Sequence, residues 1–143
     1  MKPRSPKKPA SRAPKKAHRP HALPRVLFVV GPTASGKTDL SLKLAREFDG
    51  EIINADARQI YRGMNIGTGK PKGRRGIWEG KQAYLVQGIP HYLMDFLPPE
   101  ESYSAPQWRA SALKAIRGII ARHHVPIVVG GTGLYLASLI DHF

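Results

Sequence analysis

The chain has 143 residues, 41% hydrophobic and 23% charged, which suits one soluble domain and is too short for two ordinary ones. It has no cysteine and no apolar run near the ~18 residues of a membrane span, so a disulfide-stapled mini-protein and a thiolate zinc finger are excluded and no membrane segment is expected. The net charge of +13 is uneven: residues 1–25 hold nine Lys and Arg and no acid, leaving 14 basic against 10 acidic residues in the other 118.

Residues 1–24 contain six prolines, PKK repeats and almost no apolar side chains. Such a segment cannot bury enough surface to offset its ordering entropy, so a disordered basic tail is expected. It lacks the apolar core of a secretory signal. It reads as a solvated extension or as an electrostatic arm for nucleic acid.

The folded part is expected over residues 25–143. Val26 to Val30 is a continuous β-prone run, the pattern of a strand buried on both faces of a parallel sheet. A helix is predicted from Thr38 to about Phe48, with Leu40, Leu42, Leu44 and Ala45 as its apolar positions and Gly50 as its stop. Glu51 to Asn54 is a short second strand, which completes a βαβ unit. Residues 62–100 are rich in Gly, Pro and Lys and read as loops with short extended pieces. Within them, Lys70, Lys72, Arg74 and Arg75 read as a solvated cluster, and His91 as structural or solvent-facing.

Ser104 can cap a helix running to about His123, with Pro106 in its first turn and a stripe of Trp108, Leu113, Ile116 and Ile120 facing a sheet. Trp108 is expected in the core. Pro126 to Val129 is a third buried strand, ending in Gly130-Gly131-Thr132-Gly133 and a helix that starts at Leu134. The fold class is therefore α/β, a P-loop NTPase-like parallel sheet with flanking helices. Three strands are placed where such sheets use about five, so the sequence reads as the truncated front part of a domain.

Gly31-Pro32-Thr33-Ala34-Ser35-Gly36-Lys37-Thr38 fits G-x-x-x-x-G-K-[ST] and lies between a buried strand and a helix, the context that makes the motif credible. Glycines let several backbone N–H groups point into one concavity, and the helix N-terminus adds partial positive charge. Lys37 adds a full charge for outer phosphates, and the Thr38 hydroxyl can ligate Mg²⁺. NTP-hydrolysing relatives of this motif usually end a later strand in Asp; here the third strand ends in Gly130-Gly131. The carboxylate at a strand end is Asp56, 19 residues after Lys37. Strand ends of a parallel sheet converge on one crevice, so Asp56 is expected beside the phosphates, where it can take a proton from a nucleophile. A turn-forming Asp is the alternative.

The run from Asn54 through Tyr61-Arg62-Gly63-Met64-Asn65-Ile66-Gly67-Thr68-Gly69-Lys70-Pro71 resembles a signature of the tRNA dimethylallyltransferase family. Gly88-Ile89-Pro90-His91-Tyr92-Leu93-Met94-Asp95, Tyr103-Ser104-Ala105 and Val129 to Tyr135 resemble it too, and GPTASGKT is that family's form of the loop. The resemblance covers essentially residues 26–140 in order.

That resemblance implies transfer of a dimethylallyl group from dimethylallyl diphosphate to the exocyclic amine of an adenine next to the tRNA anticodon, with Mg²⁺ as metal. The loop would hold the donor's diphosphate rather than ATP. Asp56 would be the base and Thr33 would sit near the donor's bridging oxygen; Asp56, Ala57, Arg58, Gln59 and Thr132 would contact tRNA. The family usually has Ser where Ala57 stands, so one hydroxyl is lost. Full-length members are roughly twice this length, so the chain alone is expected to be inactive or weakly active. A cytoplasmic location and, for a full-length protein, a monomer are expected. The alternatives are an adenylate isopentenyltransferase, a small-molecule P-loop kinase, and an inactive remnant that binds nucleic acid through its basic arm.

Overall fold

The structure, a computed structural model, describes residues 25–32 and 36–141. The expected tail over residues 1–24 and the loop residues Thr33, Ala34 and Ser35 lie outside the described residues. In chain order the elements are β1 (Leu27–Val30), α1 (Lys37–Phe48), β2 (Gly50–Asn54), β3 (Arg74–Trp78), β4 (Lys81–Val86), β5 (Ile89–Tyr92), α2 (Ala105–Ala121), β6 (Val125–Gly130) and α3 (Gly133–Ile140).

The strands form one sheet in the order β1-β6-β2-β5-β4-β3. β1, β6, β2 and β5 run parallel, whereas β4 is antiparallel to both β5 and β3. The sheet is thus mixed, and the segment expected to be mainly loop holds three of its strands. Their turns explain the shape. Glu79 and Gly80 have φ of 46° and 78°, and Gln87 and Gly88 have 50° and 77°. Two consecutive positive φ values match the right-handed twist of a tight hairpin.

Alternating residues of the central strands feed two cores. On one face Ile53 and Val128 pack with Trp108, Ala112, Ile116 and Ile119 of α2 and with Tyr135 and Leu139 of α3. On the other, Ile52 and Ile127 pack with Leu42 and Ala45 of α1. Trp108 is fully buried; its indole N–H donates to the Asn54 carbonyl at 2.9 Å and its ring stacks on Tyr135 at 4.9 Å. The α2 stripe is centred as expected on Trp108 and Ile116, with Leu113 and Ile120 half-buried at its margins. Ser104 and Gln107 form a capping box at its start.

The stop of α1 is one residue earlier than expected. Asp49, not Gly50, takes the left-handed cap conformation (φ 55°). Gly50 instead opens β2, where a Cβ would stand 2.6 Å from Ile127 Cδ1.

At the N-terminal end of β2, buried Glu51 accepts from Arg122 Nη2 at 2.6 Å and from the Tyr92 hydroxyl at 2.5 Å. Arg122 also reaches Glu79 at 3.2 Å, which joins the end of α2 to the β3–β4 turn. Burial, and then the Glu51 carboxylate, push the Tyr92 phenol far above its ordinary range. Among the described residues no helix is long and apolar enough to cross a membrane.

Candidate active site

The C-terminal ends of β6 and β2, with His91 of β5, open on a cavity of about 330 Å³. Gly36, Lys37 and Thr38 enter its wall from one side, and Asp56 and Gln59 from the other. The described part of the Gly31–Thr38 loop and the strand-end carboxylate therefore face one space.

Gly36 is the N-cap of α1, with φ 83° and no side-chain cap. A left-handed φ favours glycine here, and a first turn without a side-chain cap leaves N–H groups that suit an anion. Lys37 Nζ donates to the Pro32 carbonyl at 2.7 Å, which folds the ammonium back on its own loop. Thr38 lines the cavity, and its carbonyl accepts from the Ser41 hydroxyl at 2.9 Å.

The two glycines ending β6 are explained by close backbone approach. A Cβ on Gly130 would lie 2.3 Å from the Ala55 carbonyl carbon, and one on Gly131 would lie 2.7 Å from the Gly31 oxygen. Bare backbone lets β1, β6 and β2 converge where the cavity forms.

Asp56 is buried at the end of β2. Asn54 clamps its backbone: the Asn54 amide donates to the Asp56 carbonyl at 3.0 Å and to the Leu93 carbonyl at 2.9 Å, and accepts from the Asp56 N–H at 3.1 Å. The carboxylate accepts from the Arg58 N–H at 2.9 Å, and the Arg58 guanidinium lies against both oxygens at 3.5 and 3.3 Å. The Arg58 side chain is itself 53% exposed. Asn54 is a positioning residue that sequence reasoning missed, because its partner Leu93 is 39 residues away.

Of the five residues expected at the acceptor, Asp56 and Gln59 line the cavity. Gln59 donates to the Thr68 carbonyl at 3.0 Å and so holds the 61–70 loop close. Ala57, Arg58 and Thr132 stand outside the lining. The Thr132 hydroxyl accepts from the Ala57 N–H, and Ala57 packs against the α2–α3 core.

One surface expectation is corrected in part. Lys70 is not solvated: its side chain is 0% exposed, and its ammonium donates to Asp95 at 2.8 Å and to the Tyr61 carbonyl at 2.6 Å. Lys72, Arg74 and Arg75 are exposed as expected, but Arg74 and Arg75 belong to strand β3 rather than to a loop. His91 takes the structural of its two expected places: it is buried in the cavity wall. Its Nδ1–H donates to the Ile89 carbonyl at 3.0 Å, and burial pushes its pKa down to about 4, so the ring is neutral near pH 7.

Comparison with known proteins places the chain. The family described as IPP transferase matches residues 59–143, and the one described as isopentenyl transferase matches residues 24–89. The chain is 52% identical over 120 residues to tRNA dimethylallyltransferase 1 of Pelobacter propionicus, covering 83% of this chain and 35% of that protein. The solved tRNA delta(2)-isopentenylpyrophosphate transferase of Staphylococcus epidermidis superposes with a TM-score of 0.69 at 48% identity, over 82% of this chain and 35% of that one. A eukaryotic dimethylallyltransferase acting on tRNA gives 0.69 at 36% identity, over 82% and 27%. The chain spans about a third of the length of these relatives. Its sequence and its fold agree with that correspondence, and the chain belongs to the IPP transferase family.

Proposed function

We propose that this chain forms the diphosphate-binding part of an enzyme that moves a dimethylallyl group from dimethylallyl diphosphate to the exocyclic amine of an adenine beside the tRNA anticodon. The observation that carries the reading is the shared cavity: Lys37 and Thr38 on one side, Asp56 on the other. The names of its relatives, which are tRNA dimethylallyltransferases, support the same substrates.

The adenine amine is a weak nucleophile, since its lone pair is delocalised into the ring. Asp56 takes a proton from it as the carbon–nitrogen bond forms at the allylic carbon and the carbon–oxygen bond to diphosphate breaks. Lys37 turns from Pro32 to the departing diphosphate, which the N–H groups of the α1 first turn also stabilise. The loop, Thr33 included, holds that diphosphate. The hard hydroxyl oxygen of Thr38 suits Mg²⁺ completed by phosphate and water, and the ion would neutralise charge on the leaving group. The target base leaves its stack to reach the cavity.

Diphosphate release from dimethylallyl diphosphate with an anticodon stem-loop tests the reading, alongside calorimetric binding of the donor. The chain is expected to bind donor, to lose binding in Lys37→Ala, and to release diphosphate slowly, at least ~100-fold more slowly still in Asp56→Asn. Equal release by Asp56→Asn removes Asp56 from the mechanism. Turnover of labelled γ-phosphate from ATP, with no donor binding, replaces prenyl transfer by a kinase reaction.

A further inference from the structure

A second cavity, of about 190 Å³, shares two wall residues with the first, His91 and Met94. Arg62, Arg75, Gln82, Asp95 and Phe96 contribute to the rest of its wall. Its one acid is already compensated. Asp95 Oδ1 accepts from buried Lys70 Nζ at 2.8 Å and from the Gly63 N–H at 3.0 Å, and Oδ2 lies 3.4 Å from Arg75 Nε. With Lys70, Arg62 and Arg75 against Asp95, the surroundings carry a net positive charge.

Both arginines keep their forked ends. Arg62 uses Nε on the Phe96 carbonyl at 3.1 Å, and Arg75 uses Nε on Asp95. Among the described residues the terminal Nη groups of both meet no protein acceptor. Those Nε contacts fix each guanidinium plane at the cavity while leaving the two Nη amino groups, four N–H donors per arginine, for a ligand with several oxygens. Gln82 adds an amide. The Arg75 side chain is 50% exposed, so a chain running over the surface can reach it.

We infer that this second cavity is a phosphodiester subsite for single-stranded RNA, in which Arg62 and Arg75 grip the backbone of a nucleotide next to the base held in the first cavity. The inference rests on the RNA reading above and assigns to Arg62, Arg75 and Gln82 a role in register: with the phosphate fixed at one cavity, the neighbouring base is delivered to the other through a common wall.

The test is fluorescence anisotropy of a labelled anticodon stem-loop with the whole chain, titrated with salt, for wild type, Arg62→Gln, Arg75→Gln and the double variant. Each single change is expected to weaken binding about 3- to 10-fold and to reduce the slope of log affinity against log salt by about 0.7. The double variant should lose about twice that slope, with donor binding by calorimetry and the thermal midpoint unchanged. Arg75→Lys should keep the slope and still lose affinity, because it keeps the charge without the fork. RNA binding by the double variant with wild-type slope overturns the subsite and leaves the RNA reading intact. Donor binding without any RNA binding by wild type overturns both. Competition by millimolar inorganic phosphate with an unchanged RNA slope shows a free-phosphate site and also overturns the inference.

Discussion

Thr132 and Ala57 are joined by a hydrogen bond of 2.8 Å from the Ala57 N–H to the Thr132 hydroxyl, and the Thr132 N–H returns a bond of 3.1 Å to the Ala55 carbonyl. The exit from β6 is thereby locked to the exit from β2, on both sides of Asp56. Replacing Thr132 by Val removes the acceptor and leaves the Ala57 N–H unsatisfied. A loss of about 1 to 3 kcal/mol in urea unfolding is expected. Thr132→Ser should retain most of that stability, and equal losses for the two variants would remove the hydroxyl from the account.

The buried Glu51 carboxylate depends on Arg122, whose side chain is 20% exposed. Arg122→Met strands the charge and is expected to cost about 3 to 5 kcal/mol. Adding Glu51→Gln in the same chain should restore part of it. A double-mutant cycle measured by denaturant unfolding reads the coupling, and simple additivity would show that the pair does not interact.

Burial holds the folded His91 pKa at about 4, below its ordinary 6.5. Between those values the unfolded chain binds more protons than the folded one, so this contribution is full above pH 6.5 and is lost as pH falls toward 4. The loss amounts to about 3 kcal/mol. His91→Gln should flatten the slope of stability against pH across that window; an unchanged slope would assign the acid sensitivity elsewhere.

Gly130→Ala should separate the two strand ends, since the new methyl would meet Ala55 backbone atoms at 2.3 and 2.4 Å. Backbone cannot swing aside as a side chain does. A loss of about 2 to 3 kcal/mol is expected in thermal unfolding, together with weaker donor binding. A variant as stable as wild type would show that the strands part freely here.

The elements legible in the sequence are those whose signals are local. β2 and β6 read as strands because both faces are covered and they carry adjacent apolar residues; β1 has a continuous apolar run too, but it lies at the sheet edge with Val29 buried and Val30 exposed, not buried on both faces as its sequence suggests. α2 declares itself through Ser104, Pro106 and the spacing of Trp108 and Ile116. The hairpin strands were not legible because β3 is mostly exposed and mixes Arg74 and Arg75 with Ile77, and because their turns use Glu-Gly and Gln-Gly rather than Asn-Gly or Asp-Gly. Lys70 reads as a surface cation until Asp95, 25 residues on, is folded against it. The placement of Asp56 near Lys37 follows from chain topology alone, whereas its clamp by Asn54 depends on Leu93 arriving from the far side of the hairpin.

β5 has a parallel neighbour in β2 and an antiparallel one in β4. That reversal of direction splits the sheet into a fixed half, where Lys37, Thr38 and Asp56 are held, and a hairpin half that supplies Arg75 and Gln82 to the second cavity. Sequence drift in the hairpin can therefore reshape the second cavity while the residues that line the first stay in place.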